Sequence, residues 1–188
     1  MRRYTWLLVV VLGSLAIISP YVGLAFAVKS RTKTPLAKSI KLQPNSLCAG
    51  TERIVFSCLT KRAGRSPAKI VSLCASRDLT KEQGYLQYRF GLAQKVELEF
   101  PSSRTGTQPQ FQYTHYMRYQ VDLTEINFAI DGYQYQIFDD YNGEERPRIS
   151  TEGVSVTASG KPKEVSFVCR TKAKADYSII DDVLEREQ

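Results

Sequence analysis

Four cysteines, one histidine and a few clusters of carboxylates and lysines are the residues of this 188-residue chain that could do chemistry. Cys48, Cys58, Cys74 and Cys169 are separated by 9, 15 and 94 residues. No Cys-x-x-Cys pair is present, so the spacing of a zinc site is missing and no metal is expected. An even cysteine count fits two disulfides, for which three connectivities exist. Cys58 and Cys74 fall on strands joined by the short loop 60–67, so pairing them closes little chain. Cys48 with Cys169 would then tie the start of the domain to its last strand, and this is the expected arrangement.

His115 is the only imidazole, which excludes metal sites built on several histidines and leaves one candidate base for a Ser or Cys nucleophile. Ser57 or Ser72 could serve as that nucleophile, but no Gly-x-Ser-x-Gly elbow occurs in the chain. The histidine reads instead as a strand residue partly buried among aromatics. Asp139, Asp140, Glu144 and Glu145 surround Asn142-Gly143 and invite a calcium reading. Placing Gly143 at the sixth position of an EF-hand loop puts Phe138 first and Ile149 twelfth, and neither side chain can ligate. The run is expected to be a solvated hairpin tip. Glu97 and Glu99 share a strand face as a glycosidase pair might, yet alternation with core residues makes a water-facing edge the simpler account. No catalytic residue and no cofactor are expected.

Binding chemistry is better represented. Six of the nine tyrosines beyond residue 27 fall between Tyr113 and Tyr141, interleaved with glutamines. Tyr113, Tyr116, Arg118, Tyr133 and Tyr135 form a candidate binding face for sugar rings or a protein, because tyrosine gives a large contact area at low entropic cost. Simple β-propensity would also explain them. Charge is uneven: residues 28–77 hold 11 basic and 1 acidic residue, and the formal charge of the whole chain is +7. Lys61, Arg62, Arg65 and Lys69 make a candidate loop for an anionic ligand such as an envelope polymer, a lipid head group or an acidic protein. No nucleic-acid-binding motif is recognisable, so nucleic acid is not an expected partner.

The elements that must position these residues follow from periodicity. Arg2 and Arg3 precede an uncharged stretch that is densest in apolar residues over 7–18 and ends in Ala25-Phe26-Ala27. This is the pattern of a secretory signal peptide, 1–27, cleaved after Ala27. Retained, the segment would be a membrane anchor and the only expected membrane contact. Cleavage leaves 24 basic against 19 acidic residues. Residues 28–46, with five basic residues, two prolines and no acid, read as a flexible basic linker. From residue 52 the period is two, with turn residues about every ten positions. Strands are expected over 54–58, 70–74, 85–90, 95–100, 111–121, 124–130, 133–138, 154–156 and 165–169. Asp131-Gly132 marks a two-residue hairpin loop. About nine antiparallel strands in one domain, 47–175, predict an all-β, disulfide-stabilised barrel or sandwich. Ser178 could cap a short acidic helix over 179–184 within the segment 176–188, which could equally be a tail.

The segments Phe56-Ser57-Cys58, Lys69-Ile70-Val71-Ser72-Leu73-Cys74-Ala75-Ser76, Tyr85-Leu86-Gln87-Tyr88-Arg89-Phe90-Gly91 and Glu97-Leu98-Glu99-Phe100-Pro101 resemble a set of small exported bacterial proteins of unknown function. The resemblance covers roughly residues 54–170. It implies a bacterial cell-envelope location and a Cys58–Cys74 pair, and it brings no activity. A fainter analogy runs to small periplasmic β-barrel lysozyme inhibitors, whose Ser-Gly-rich loop has its nearest counterpart in Ser102-Ser103-Arg104-Thr105-Gly106. The expected protein is therefore periplasmic or secreted, not an enzyme, and binds an envelope protein or glycan. An inhibitor of an envelope hydrolase such as lysozyme, or a hydrolase with an unrecognised site, are the alternatives.

Overall fold

Alternation of β-branched and aromatic residues with polar ones produces ten strands in a computed structural model that describes residues 43, 45–61, 66–161 and 163–185. The leader, nearly all of the basic linker, and Arg62 and Arg65 lie outside the described residues. Strands β1 (Arg53–Leu59), β2 (Ile70–Ala75), β3 (Leu86–Leu92), β4 (Lys95–Phe100) and the two-residue β10 (Lys174–Ala175) form one antiparallel sheet in the order β10-β1-β2-β3-β4. Strands β5 (Gln112–Arg118), β6 (Val121–Ile130), β7 (Tyr133–Asn142), β8 (Ile149–Ala158) and β9 (Glu164–Val168) form a second, in chain order. The fold is all-β, and the two sheets face each other as a sandwich. One seam is stitched by a bridge between Thr60 and Cys169, flanked by Lys61 N–H to the Val168 carbonyl and Arg170 N–H to the Leu59 carbonyl. The barrel is not closed.

Inward-facing Val71, Leu73, Leu86 and Tyr88 of the first sheet pack on Tyr113, Ile126, Phe128, Ile137 and Val154 of the second. Phe128 is the hub, with ring centroids of Tyr88, Phe111 and Tyr135 at 4.9, 5.3 and 5.2 Å. Each large side chain buried in this way contributes roughly 1.5–3 kcal/mol relative to exposure.

β2 is buried at all six positions, and a strand buried on both faces needs a cover on each. The outer cover is the segment 45–52. Ser57 and Ser72 hydroxyls lie 2.8 Å apart beneath it, and Ser72 Oγ accepts from Leu47 N–H at 3.0 Å. Glu52 and Arg89 form a two-pronged ion pair, both contacts 2.7 Å, with side chains only 2 and 4% exposed. Arg89 Nη1 also donates to the Leu47 carbonyl at 2.8 Å, while Ala49 N–H and the Tyr85 hydroxyl donate to the Glu52 carboxylate. Burial pushes the Glu52 carboxyl up, but the hydrogen bonds from Arg89, Tyr85 and Ala49 outweigh it and hold the group below its ordinary value.

Three expectations are corrected. The disulfides join Cys48 to Cys74 and Cys58 to Cys169, with sequence separations of 26 and 111. Cys58 points inward and Cys74 outward, so the neighbouring strands carry them to opposite faces. The single strand expected over 111–121 is a hairpin: β5 ends at Arg118, and Gln120 turns the chain at φ 60° where no glycine or asparagine signalled it. Residues 176–185 form neither the helix expected over 179–184 nor a loose tail. A 3-10 turn, Tyr177–Ile179, is followed by Ile180 and Leu184 buried in the core, and Ser178 makes no cap. The Asp131-Gly132 loop is as expected, with φ of 47° and 80° at its two residues, the backbone of a type I′ turn.

Non-reducing peptide mapping of the oxidised chain should recover Cys48 linked to Cys74 and Cys58 linked to Cys169; a Cys58–Cys74 peptide would contradict this fold. Glu52→Gln should lower the unfolding free energy at pH 7 by about 3–5 kcal/mol, because it strands a buried guanidinium. The depressed carboxyl stabilises fully above its unfolded value and ceases to as pH falls through the lower folded value. The gap between parent and variant in urea unfolding should therefore be full at pH 7 and shrink in acid.

Candidate functional site

The tight Asp131-Gly132 turn brings β6 into β7 with no slack, and Ser159 N–H donates to the Gly132 carbonyl at 2.9 Å. That bond fastens the β8–β9 hairpin beside the β6–β7 hairpin. Between these two hairpins and the far ends of β3 and β4, the sheets part around a cleft of ≈ 540 Å³. Tyr88 and Phe90 supply one wall with Leu98, and Tyr135, Val156, Val165 and Phe167 supply the other. Phe90 and Phe167 meet edge to face at 5.0 Å. At the rim stand Tyr133, Lys161 and Lys163, all exposed. Neither lysine forms an ion pair with a described residue. Burial, reinforced by Tyr135, pushes the Tyr88 phenol well above its ordinary range; burial, with Tyr133 and Asp131, raises that of Tyr135. Both stay neutral through physiological pH, so the walls carry no charge, and among the described lining residues the charged groups are the two rim ammoniums.

An open, mostly apolar cleft with a few polar groups at its mouth is the usual form of a small-molecule site. Among the described residues that line it there is no serine, cysteine, histidine or acid. Cys48, Glu52 and Cys74 do place ligand atoms within 4.8 Å of one another, but the two sulfurs are bonded together and Glu52 is engaged by Arg89.

The candidates drawn from sequence are scattered. Tyr113 is an interior residue, 1% exposed, on the sheet face opposite Tyr116. Arg118 is held by Glu144 through two hydrogen bonds. Of the five residues proposed as one binding face, only Tyr133 and Tyr135 come together, and they do so at the cleft. In the proposed anionic-ligand loop, Lys69 pairs with Glu97 and Lys61 is exposed, while Arg62 and Arg65 lie outside the described residues. Basic side chains gather instead at Arg170, Lys172 and Lys174, around a recess of ≈ 230 Å³ with Asn45, Ser46 and Ser57.

His115 binds Asp122 at 2.9 Å on the second sheet, whereas Ser57 and Ser72 bond each other under the outer cover of the first. No Ser–His couple forms among them. Asp139 and Asp140 are half-buried strand residues, not the tip of a solvated hairpin: Asp139 accepts from the Tyr177 hydroxyl at 2.9 Å. Burial, then Glu125 and Asp139, raise the Asp140 carboxyl. Glu99 faces Arg89 at 3.2 Å and Arg104 at 3.8 Å, so the Glu97 and Glu99 pair serves charge balance on the outer face. Residues 102–106 are exposed, and their flanks are pinned by Thr107, whose hydroxyl exchanges 2.7 Å bonds with the Leu86 backbone.

Sequence reasoning missed Phe90, Leu98, Val156, Lys161, Lys163 and Phe167 as neighbours. Each was visible only as a strand or hairpin residue, and the cleft exists because two distant meanders bring them face to face. Lys161-Pro162-Lys163, set between a strand ending at Ala158 and one carrying Phe167, is the signal that could have drawn attention.

No family model matches the chain, and no curated protein and no solved structure matches it.

His115→Ala should change the unfolding free energy by no more than about 1 kcal/mol, since an exposed pair contributes little. Denaturant unfolding of the two proteins checks this; a larger loss would mean that the β5–β6 hairpin depends on the imidazole.

Proposed function

We propose that this is an exported, non-catalytic binding protein of the cell envelope, which holds a small apolar ligand in the cleft between its sheets. The cleft itself carries the reading: its walls are aromatic and aliphatic side chains left open to solvent. Two disulfides speak for an oxidising compartment, extracellular or periplasmic. The signal-like N-terminal sequence and the resemblance to small exported bacterial proteins agree with it. An envelope binder needs a site that survives without cellular reductant, and a cross-linked sandwich supplies one.

A second reading, inhibition of an envelope hydrolase, is favoured by one observation: residues 102–106 project between buried anchors at Pro101 and Thr107. Against it, Arg104 is already drawn to Glu99 and lies over the Tyr85 ring at 5.8 Å.

A neutral fluorophore such as N-phenyl-1-naphthylamine should brighten on the native protein with one-to-one stoichiometry. Val156→Trp, which fills the cleft, should abolish the signal while far-ultraviolet circular dichroism keeps its native form. Absence of any enhancement with the parent protein would overturn the cleft as a binding site.

A further inference from the structure

The rim of the cleft is charged where its walls are not. Lys161 and Lys163 stand at its mouth two residues apart, on a loop that the Ser159-to-Gly132 hydrogen bond fixes to the neighbouring hairpin. They have no anionic partner among the described side chains, and Glu164, the nearest acid in sequence, is engaged by the Ser166 hydroxyl at 2.7 Å. The walls behind them are neutral. The site thus has an uncharged interior with two unpaired positive charges at the entrance, which is the complement of a molecule with an apolar body and a negative end.

Resting on the reading of the cleft as a ligand site, we propose that its occupant is a long-chain carboxylate. The single chain lies between Tyr88, Leu98, Tyr135 and Val156, and the carboxylate bridges the ammonium groups of Lys161 and Lys163. Two facing sheets pack about 10 Å apart and wall side chains already share that layer, which favours one chain over two. The head is a carboxylate and not a phosphate because of the donors on the loop. Phosphate sites are commonly built from successive backbone N–H groups or arginine forks. Here the Lys161 N–H is spent on the Ala158 carbonyl at 3.0 Å, residue 162 is a proline with no N–H, and neither flanking residue is arginine. Two ammonium groups match the two oxygens of a monoanion. The protein's own linker is a poor occupant, since residues 28–46 hold five basic residues and no aromatic one.

Competition for bound N-phenyl-1-naphthylamine separates the two levels of the argument. On the parent protein at pH 7 and low salt, dodecanoate should displace the probe at about a tenfold lower concentration than dodecanol, a difference of about 1.4 kcal/mol. Lys161→Gln with Lys163→Gln should bring the two competitors to within about twofold of each other, leaving dodecanol and probe binding as before. Added salt should erode the preference on the parent, as screening requires. Equal displacement by dodecanoate and dodecanol on the parent would overturn the carboxylate while leaving the cleft reading intact. Tighter displacement by dodecyl phosphate would overturn the choice of head group. Failure of the probe to bind would sink the cleft reading itself, and so would a stable dimer that releases its partner as probe is added, since a second copy would then be the occupant.

Discussion

The first sheet can exist only because something covers its outer face, and the Arg89–Glu52 pair holds that cover down. A strand as apolar as β2 on one face of a two-layer sandwich would leave Ile70, Ser72 and Cys74 against water on the other. The segment 45–52 lies across them, and a short segment cannot bury enough surface to stay there by itself. Arg89 compensates with a fork onto Glu52 and a bond to the Leu47 carbonyl, and the Cys48–Cys74 bond fixes the segment at one further point. A buried ion pair is not a strong net source of stability, but once its partners are in place, removing either one is severe. The pair therefore specifies where the cover sits more than it adds to the depth of the free-energy minimum.

With the outside of that sheet sealed, the inside determines where a ligand can go. β7 runs from Tyr133 and Tyr135 at the cleft to Asp139, which receives the Tyr177 hydroxyl from the C-terminal segment. Ile179, Ile180 and Leu184 of that segment enter the core at this end. Among the described residues the opposite end has no such plug, only hairpins. The cleft is the unplugged end of an incompletely closed sandwich, and its aromatic lining continues the ring cluster around Phe128.

Much of the fold was legible in the sequence because period-two alternation is a local signal. β3, β4, β6 and the Asp131-Gly132 turn could be read from a dozen residues each. The hairpin at Gln120 could not, because its residue adopts a positive φ that glutamine does not advertise. The disulfide pairing was misread for a related reason: closeness in sequence favoured Cys58 with Cys74, while facing direction, set by a register shift between Ile54 and Phe56, favoured the other pairing. The site was the least legible part. Tyrosine abundance pointed to one face, yet alternation sends Tyr113 and Tyr116 to opposite faces, and the residues that do meet come from β3, β4, β7, β8 and β9. Their adjacency is a property of how two sheets stack, which no window along the chain contains.

The connectivity of the two cystines also sets an order of events. A chain that emerges N-terminus first presents Cys48, Cys58 and Cys74 together, nearly a hundred residues ahead of Cys169. The bond between Cys48 and Cys74 can close at once over 26 residues, and doing so removes the two thiols that could capture Cys58 wrongly. Cys58 must then wait as the lone thiol until the ninth strand arrives and Thr60 finds Cys169 across the seam. The early latch protects the late one, and the sandwich is locked by the last long strand to be delivered.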